Sequence, residues 1–86
     1  MPADITPAAI LNLILEQHIV EPAEPIDVRA DLFAEGLDST AMMQLLLHVE
    51  DYFSIAIEPA EMRRERFATA TALAAFLVEK RAAQAG

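Results

Sequence analysis

Residues 36–53 read GLDSTAMMQLLLHVEDYF, and they contain the longest helical pattern in the chain. From Ser39 to Phe53 the apolar residues recur at three- and four-residue spacing, which places on one face Met42, Leu45, Leu46, Val49 and Phe53. Gly36 precedes this pattern and supplies a left-handed or tightly turned position. We therefore predict a central helix over Ser39–Phe53 that is entered through a glycine turn.

Two further helices are predicted, one on each side of the central helix. Thr6 can cap the first helix and Pro7 is pre-set for its first turn, and the apolar period continues to about His18. Thr69 or Thr71 caps the last helix, whose apolar face includes Leu73, Phe76 and Leu77. All three main elements are thus helical.

The connections between these helices also carry apolar residues. Residues 21–30, EPAEPIDVRA, contain two prolines and no helical period, so we predict a long loop pinned by Ile26 and Val28. After the central helix, Ile55 and Ile57 are interpreted as loop residues that fill the core, because no second strand candidate exists. Pro59 starts a short helix near residues 60–63, and Phe67 anchors the chain before the last helix.

Composition predicts one small all-α domain. The chain has 86 residues, 55% hydrophobic residues, two glycines and no cysteine, so helix packing must stabilise it without disulfides. We predict a single domain over residues 1–86 with an ordered core over about residues 5–81. Its architecture is a small four-helix bundle with three main helices, one short helix and a long loop between helices 1 and 2.

The charge balance limits the partners. Six basic residues against fourteen acidic ones give a formal net charge of −8, which argues against nucleic acid and favours basic protein surfaces. No apolar segment is long enough to cross a bilayer, and the start of the chain lacks the charged and apolar regions of a signal peptide. We expect a monomer in the cytoplasm with no membrane span.

Asp38 and Ser39 stand where a central helix begins. By themselves they are most simply interpreted as a helix cap, because both side chains can satisfy backbone N–H groups that lack an intrahelical partner. No base is arranged near Ser39 in the sequence, so it has no catalytic role. His18 and His48 are far apart and lack a third ligand, so we predict no metal site.

The spacing of several segments changes the interpretation of Ser39. The sequence resembles the acyl carrier and peptidyl carrier protein family in three segments, DLF at 31–33, GLDS at 36–39 and QLLLHVEDYF at 44–53, followed by Ile55 and Ile57. The resemblance extends from Asp31 through Phe76. It implies the acyl-carrier type of helical bundle.

The resemblance also implies the cofactor and the site. Ser39 would receive a covalent 4′-phosphopantetheine arm from coenzyme A by the action of a phosphopantetheinyl transferase, and Asp38 would help hold the transferase metal ion. The carrier itself would be non-catalytic. We expect the partner-docking residues to be Thr40, Met43, Leu47 and Glu50.

The cargo is inferred from departures from the family pattern. Fatty-acid carriers usually follow the serine with leucine and then acidic residues, whereas this chain has Thr40, Ala41 and Gln44. Together with the basic run at 63–66, this looks more like stand-alone carriers of amino acids, including D-alanine. An ATP-dependent ligase would then load the arm, and downstream acyl-transfer enzymes would receive the cargo. A fatty-acid or polyketide carrier is the alternative.

Two other interpretations remain open. A non-covalent helical adaptor would use Ser39 only as a cap and would bind its partner through an apolar patch at Met43 and Leu47. The sequence leaves open whether that patch faces solvent or is covered. Arg63, Arg64 and Arg66 are interpreted as a solvated helix end in preference to a partner contact. No paired acid and base supports an enzyme.

Overall fold

The computed structural model describes residues 4–85, and within them the regular structure is helical. The α-helices are α1 (Pro7–Glu16), α2 (Ser39–Phe53) and α3 (Ala70–Ala85). Two 3₁₀ turns, Pro59–Glu61 and Arg64–Arg66, lie between α2 and α3, and no strand occurs in these residues. The all-α prediction and both bounds of the central helix are confirmed.

Threonine side chains cap α1 and α3. The Thr6 hydroxyl oxygen accepts a hydrogen bond from the Ala9 N–H at 3.0 Å, and the Thr69 oxygen accepts one from the Ala72 N–H at 3.0 Å. Each bond satisfies a backbone donor that the helix leaves without a partner. Of the two predicted caps for the last helix, Thr69 is therefore the correct one.

The first helix ends at Glu16, two residues earlier than the predicted end at His18. His18 has a φ of +55°, and the next residue, Ile19, donates its N–H to the Ile14 carbonyl at 3.0 Å. This is a Schellman motif, which usually carries glycine at the left-handed position. Because histidine occupies that position here, the sequence contains no glycine signal for the helix end.

Both the helices and their connections fill the core. Helix α1 packs mainly against α3, and fully buried aromatic rings come from α2 at Phe53 and from the last connection at Phe67. The connections supply further buried residues, namely Ile19, Val20, Leu32, Leu37, Ile55 and Ile57. The predicted long loop is present, with Ile26 and Val28 packed against the core.

The short helix predicted near residues 60–63 is present as two separate 3₁₀ turns. Between them the backbone is extended at Arg63, and the Met62 side chain is half-buried against the core. A continuous α-helix rises only about 1.5 Å per residue. Because Ile57 and Phe67 are both buried in the core, the chain extends between the turns to reach from one to the other.

The last two turns of α3 hold the connection that follows α2. Lys80 Nζ lies 2.8 Å from Glu61 Oε1, and the Arg81 guanidinium donates to the Phe53 carbonyl at 3.0 Å. The Gln84 amide pairs with both backbone groups of Ala56. These three α3 side chains, Lys80, Arg81 and Gln84, are called the clamp below. They bring the C-terminal ends of α2 and α3 together.

Helix α3 continues to Ala85. The ordered core was expected to end at about residue 81, so the helix extends beyond that expected boundary.

The Lys80 hydrogen bond lowers the pKa of the Glu61 carboxyl, with help from the Glu58 backbone N–H. A carboxyl whose pKa is lower in the folded state stabilises the fold above its unfolded pKa of about 4.3, and this contribution is lost as the pH falls through the folded value. We expect Glu61→Gln to lower the melting temperature at pH 7, and we expect its difference from the parent to shrink as the pH falls below about 4.3. Thermal unfolding across this range checks it, with Glu65→Gln as an exposed control. An equal decrease at every pH would contradict the assignment.

Candidate functional site

The turn before α2 is shaped by one aspartate and one glycine. Asp31 Oδ1 accepts from the Phe33 N–H at 3.0 Å, and the Leu37 N–H donates to the Leu32 carbonyl at 2.9 Å. Gly36 has a φ of +111°, a backbone conformation that favours glycine. Since Leu32 and Leu37 are buried, they fix this turn to the core and set the direction in which α2 begins.

Asp38 is the N-cap of α2. Its Oδ1 accepts from the Ala41 N–H at 2.8 Å, and its carbonyl accepts the first intrahelical bond from the Met42 N–H at 2.8 Å. The Asp38 backbone is extended, as an N-cap residue requires. The cap predicted for the Asp38–Ser39 pair is therefore made by Asp38.

Ser39 is the first residue of α2 and is exposed. Among residues 4–85 its hydroxyl has no hydrogen-bond partner, because the capping position belongs to Asp38. Backbone N–H groups of the first helical turn and the positive end of the helix dipole lie beside it. An anionic substituent on the Ser39 oxygen would be stabilised there.

The predicted docking residues differ in their surroundings. Met43 and Leu47 are 44% and 59% exposed and lie one helical turn apart, and Thr40 is also exposed, so the apolar patch faces solvent. Glu50 is half-buried, and its Oε2 accepts from the Ile57 N–H at 2.8 Å. The Glu50 carboxylate thus supports the connection after α2 and is not a free surface acid.

Two arginines of the basic run contact aromatic rings, which the sequence analysis missed. The Arg64 guanidinium lies 3.9 Å from the centre of the Phe33 ring, and the Arg66 guanidinium lies 4.5 Å from that of Phe76. Arg66 also donates to the Glu61 carbonyl at 3.0 Å. The interpretation of Arg66 as part of a solvated helix end is therefore wrong. The two residues of each arginine–aromatic pair are ten or more positions apart in sequence, so no local sequence pattern predicts the contact.

Neither histidine lies in a metal site. His18 Nδ1 is 3.2 Å from Glu21 Oε1 in an exposed pair, and His48 is half-buried on α2. Within the described residues, no three histidine or acidic side chains are grouped so that they could hold a metal ion. None of the described helices is both long and apolar enough to span a membrane.

The comparisons with known proteins point to one family. Residues 8–77 match the model of the family described as phosphopantetheine attachment site. A D-alanyl carrier protein of Lactococcus lactis subsp. lactis (strain IL1403) is 43% identical over 56 residues, 64% of this chain and 71% of that protein. An aminoacyl carrier protein of Agrobacterium fabrum is 38% identical over 52 residues, 60% of this chain and 63% of that protein.

One solved structure is also similar. It is a crystal structure of an engineered Bradyrhizobium japonicum glycine:[carrier protein] ligase complexed with a carrier protein from Agrobacterium tumefaciens and ATP. The matched chain has 30% sequence identity and a TM-score of 0.71, and the match covers 85% of this chain and 96% of that one. Because 85% of this 86-residue chain corresponds to 96% of the matched chain, the matched chain is also small.

Two substitutions of Asp38 distinguish the contribution of its capping hydrogen bond to stability from that of its negative charge. We expect Asp38→Ala to lower the free energy of unfolding by about 1 kcal/mol, because the Ala41 N–H loses its acceptor. Asp38→Asn keeps a capping oxygen and should stay within a few tenths of a kcal/mol of the parent. Urea unfolding checks both values. Equal losses in the two variants would show that the charge, and not the capping hydrogen bond, stabilises the helix.

Proposed function

Because the chain belongs to the phosphopantetheine attachment site family, we propose that Ser39 bears a 4′-phosphopantetheine arm and that the arm thiol carries an aminoacyl group to partner enzymes. In the attachment step, the Ser39 oxygen attacks the phosphorus that bears the pantetheine group of coenzyme A. A new P–O bond forms, the pyrophosphate bond breaks, adenosine 3′,5′-bisphosphate leaves, and the serine proton passes to a base of the transferase. The chain itself supplies only the acceptor.

The observation that carries this proposal is the division of roles at the start of α2. Asp38 makes the capping hydrogen bond, so the exposed Ser39 hydroxyl can be modified without loss of the cap. A phosphodiester on that oxygen would lie at the N-terminus of a fifteen-residue helix, where N–H groups and the helix dipole favour an anion. The adaptor alternative gave Ser39 only the role of a cap, whereas the capping hydrogen bond is made by Asp38.

We propose a second role for Asp38 in the encounter with the transferase. A carboxylate next to the acceptor serine suits a Mg²⁺ ion that also binds the coenzyme A phosphates, because Mg²⁺ prefers oxygen ligands. Asp38 is exposed, and one of its oxygens makes the cap hydrogen bond. Asp38→Asn keeps that bond and removes the charge. Slower modification of this variant is the result that the role requires.

The aminoacyl cargo is supported by the named relatives. One of them is called a D-alanyl carrier protein and another an aminoacyl carrier protein, and the similar solved structure contains a glycine ligase with ATP. We infer that an ATP-dependent amino-acid ligase loads the arm and that downstream acyl-transfer enzymes receive the aminoacyl group. Coenzyme A and ATP are cytoplasmic, so we place this cycle in the cytoplasm. A fatty-acid or polyketide cargo is the competing proposal.

Intact-protein mass spectrometry after incubation with coenzyme A and a broad-specificity transferase tests the attachment. We expect the parent to gain one phosphopantetheine and Ser39→Ala to gain none. Because the chain has no cysteine, a thiol reagent should label only the modified parent, once per molecule. Ser39→Ala should also unfold within about 0.5 kcal/mol of the parent, since Asp38 keeps the cap. No mass gain by the parent, with a transferase active on another carrier, would favour the adaptor.

A second experiment tests the docking surface on α2. We expect Met43→Gln/Leu47→Gln to lower kcat/KM for modification of Ser39 by about tenfold, because an apolar contact at the enzyme surface is lost. The matched control is Val78→Gln, which removes a 50% exposed apolar residue from α3. Initial rates at several carrier concentrations give the values. Equal rates for the double variant and the parent would exclude this surface from docking.

A further inference from the structure

The six basic residues of this acidic chain fall into two groups. Three serve the fold through side-chain hydrogen bonds, namely Arg66, Lys80 and Arg81. The other three are Arg29, Arg63 and Arg64, and their side chains make no hydrogen bond or ion pair with another described residue. Fourteen acidic residues are available in the sequence, yet none neutralises these arginines within the part of the chain that the structure describes.

Arg63 and Arg64, called the arginine pair below, are adjacent and exposed. The stack of Arg64 on the Phe33 ring, at 3.9 Å, restricts the long side chain and leaves the edge of the guanidinium free to donate. A stacked guanidinium with free in-plane N–H groups matches the geometry of a carboxylate, which can accept two parallel hydrogen bonds. The arginine pair is therefore suited to an acidic group on another molecule.

The arginine pair is linked to the turn that precedes Ser39 through the contact of Arg64 with Phe33. Phe33 follows Leu32, and the Leu32 carbonyl accepts from the Leu37 N–H at 2.9 Å. Ser39 comes two residues after Leu37, so their Cα atoms are at most about 7 Å apart. The Leu32 N–H donates to the Ala68 carbonyl at 2.8 Å, which holds this turn against the chain just before α3. Arg63 lies between this turn and the clamp, because its N–H donates to the Glu61 carbonyl at 2.9 Å and Lys80 of the clamp holds the Glu61 side chain.

Through this turn, we expect an enzyme that covers Ser39 to come close to the arginine pair as well. Even a small interface, with about 500 Å² buried on each partner, is roughly 25 Å across. If the two side chains of the arginine pair lost contact with water at the edge of this interface and met no negative charge, binding would be weakened. We infer that the arginine pair docks against a carboxylate-bearing face of the amino-acid ligase that charges the arm, the class of enzyme bound in the similar solved structure. This inference rests on the proposed function.

The two signs of charge give this docking a direction. The exposed acid Asp51 lies near the C-terminal end of α2, while Arg64 contacts Phe33 in the turn before its start. A ligase whose basic region faces the carrier's acids and whose acidic region faces the arginine pair can pair both sets of charges in only one orientation of the carrier. Charge pairs of this kind set orientation and suppress wrong encounters more than they add affinity.

The inference is testable because a response to net charge and a contact between the arginine pair and carboxylates predict opposite changes in KM. If the ligase responds only to overall negative charge, Arg63→Gln/Arg64→Gln should bind better, because the net charge becomes two units more negative. If the arginine pair meets carboxylates, KM should rise about fivefold with little change in kcat, and the rise should shrink at high salt. The matched control is Ala82→Glu/Ala83→Glu, which makes the same charge change at exposed positions near the clamp. Its KM should equal or fall below that of the parent.

The experiment uses the phosphopantetheine-bearing proteins and the glycine ligase named above, with transfer of glycine to the arm followed by intact mass. Arg63→Gln alone keeps the Phe33 stack and should raise KM about twofold, which separates docking from any loss of folding. An unchanged or lower KM in the double variant overturns the inference and leaves the carrier function intact. Failure of this ligase to charge the parent overturns the choice of partner. A parent that accepts no arm at the earlier step refutes the proposed function instead.

Discussion

The core of this chain is closed by its connections as well as by its three helices, and this constraint shapes much of the structure. The chain has no disulfide to compensate, so the connections must contribute apolar residues to the interior. Leu32 and Leu37 enter from the first connection, and Ile55, Ile57 and Phe67 enter from the second. A connection that fills a core must itself be held in place, which explains why so many backbone groups of the loops have hydrogen-bond partners.

The same constraint produces the geometry of the site. Because Leu32 and Leu37 must both be buried, the chain between them is forced into a turn that only the glycine conformation at position 36 permits. The turn delivers Asp38 into the capping position and places Ser39 one residue later, outside the core and without a partner. Core packing therefore fixes the backbone around a serine that takes no part in that packing.

Local features of this fold could be predicted from the sequence, and features made by distant residues could not. The caps at Thr6 and Asp38 depend on atoms three residues away, and the apolar period alone gave the bounds of α2. The hydrogen bond that Glu50 accepts could not be predicted, because its donor, Ile57, lies across the turn that follows the helix. The Arg64 contact with Phe33 depends on how two connections pack together, so no spacing rule could indicate it.

Helices α2 and α3 finish at the clamp and begin at the end where Leu32 meets Ala68, so they run in the same direction. Parallel helices add their dipoles, whereas antiparallel neighbours cancel them. The positive ends of the α2 and α3 dipoles therefore lie at the same end of the molecule, the one that carries Ser39. In the field of an approaching enzyme, these aligned dipoles contribute a torque on the carrier before any contact forms.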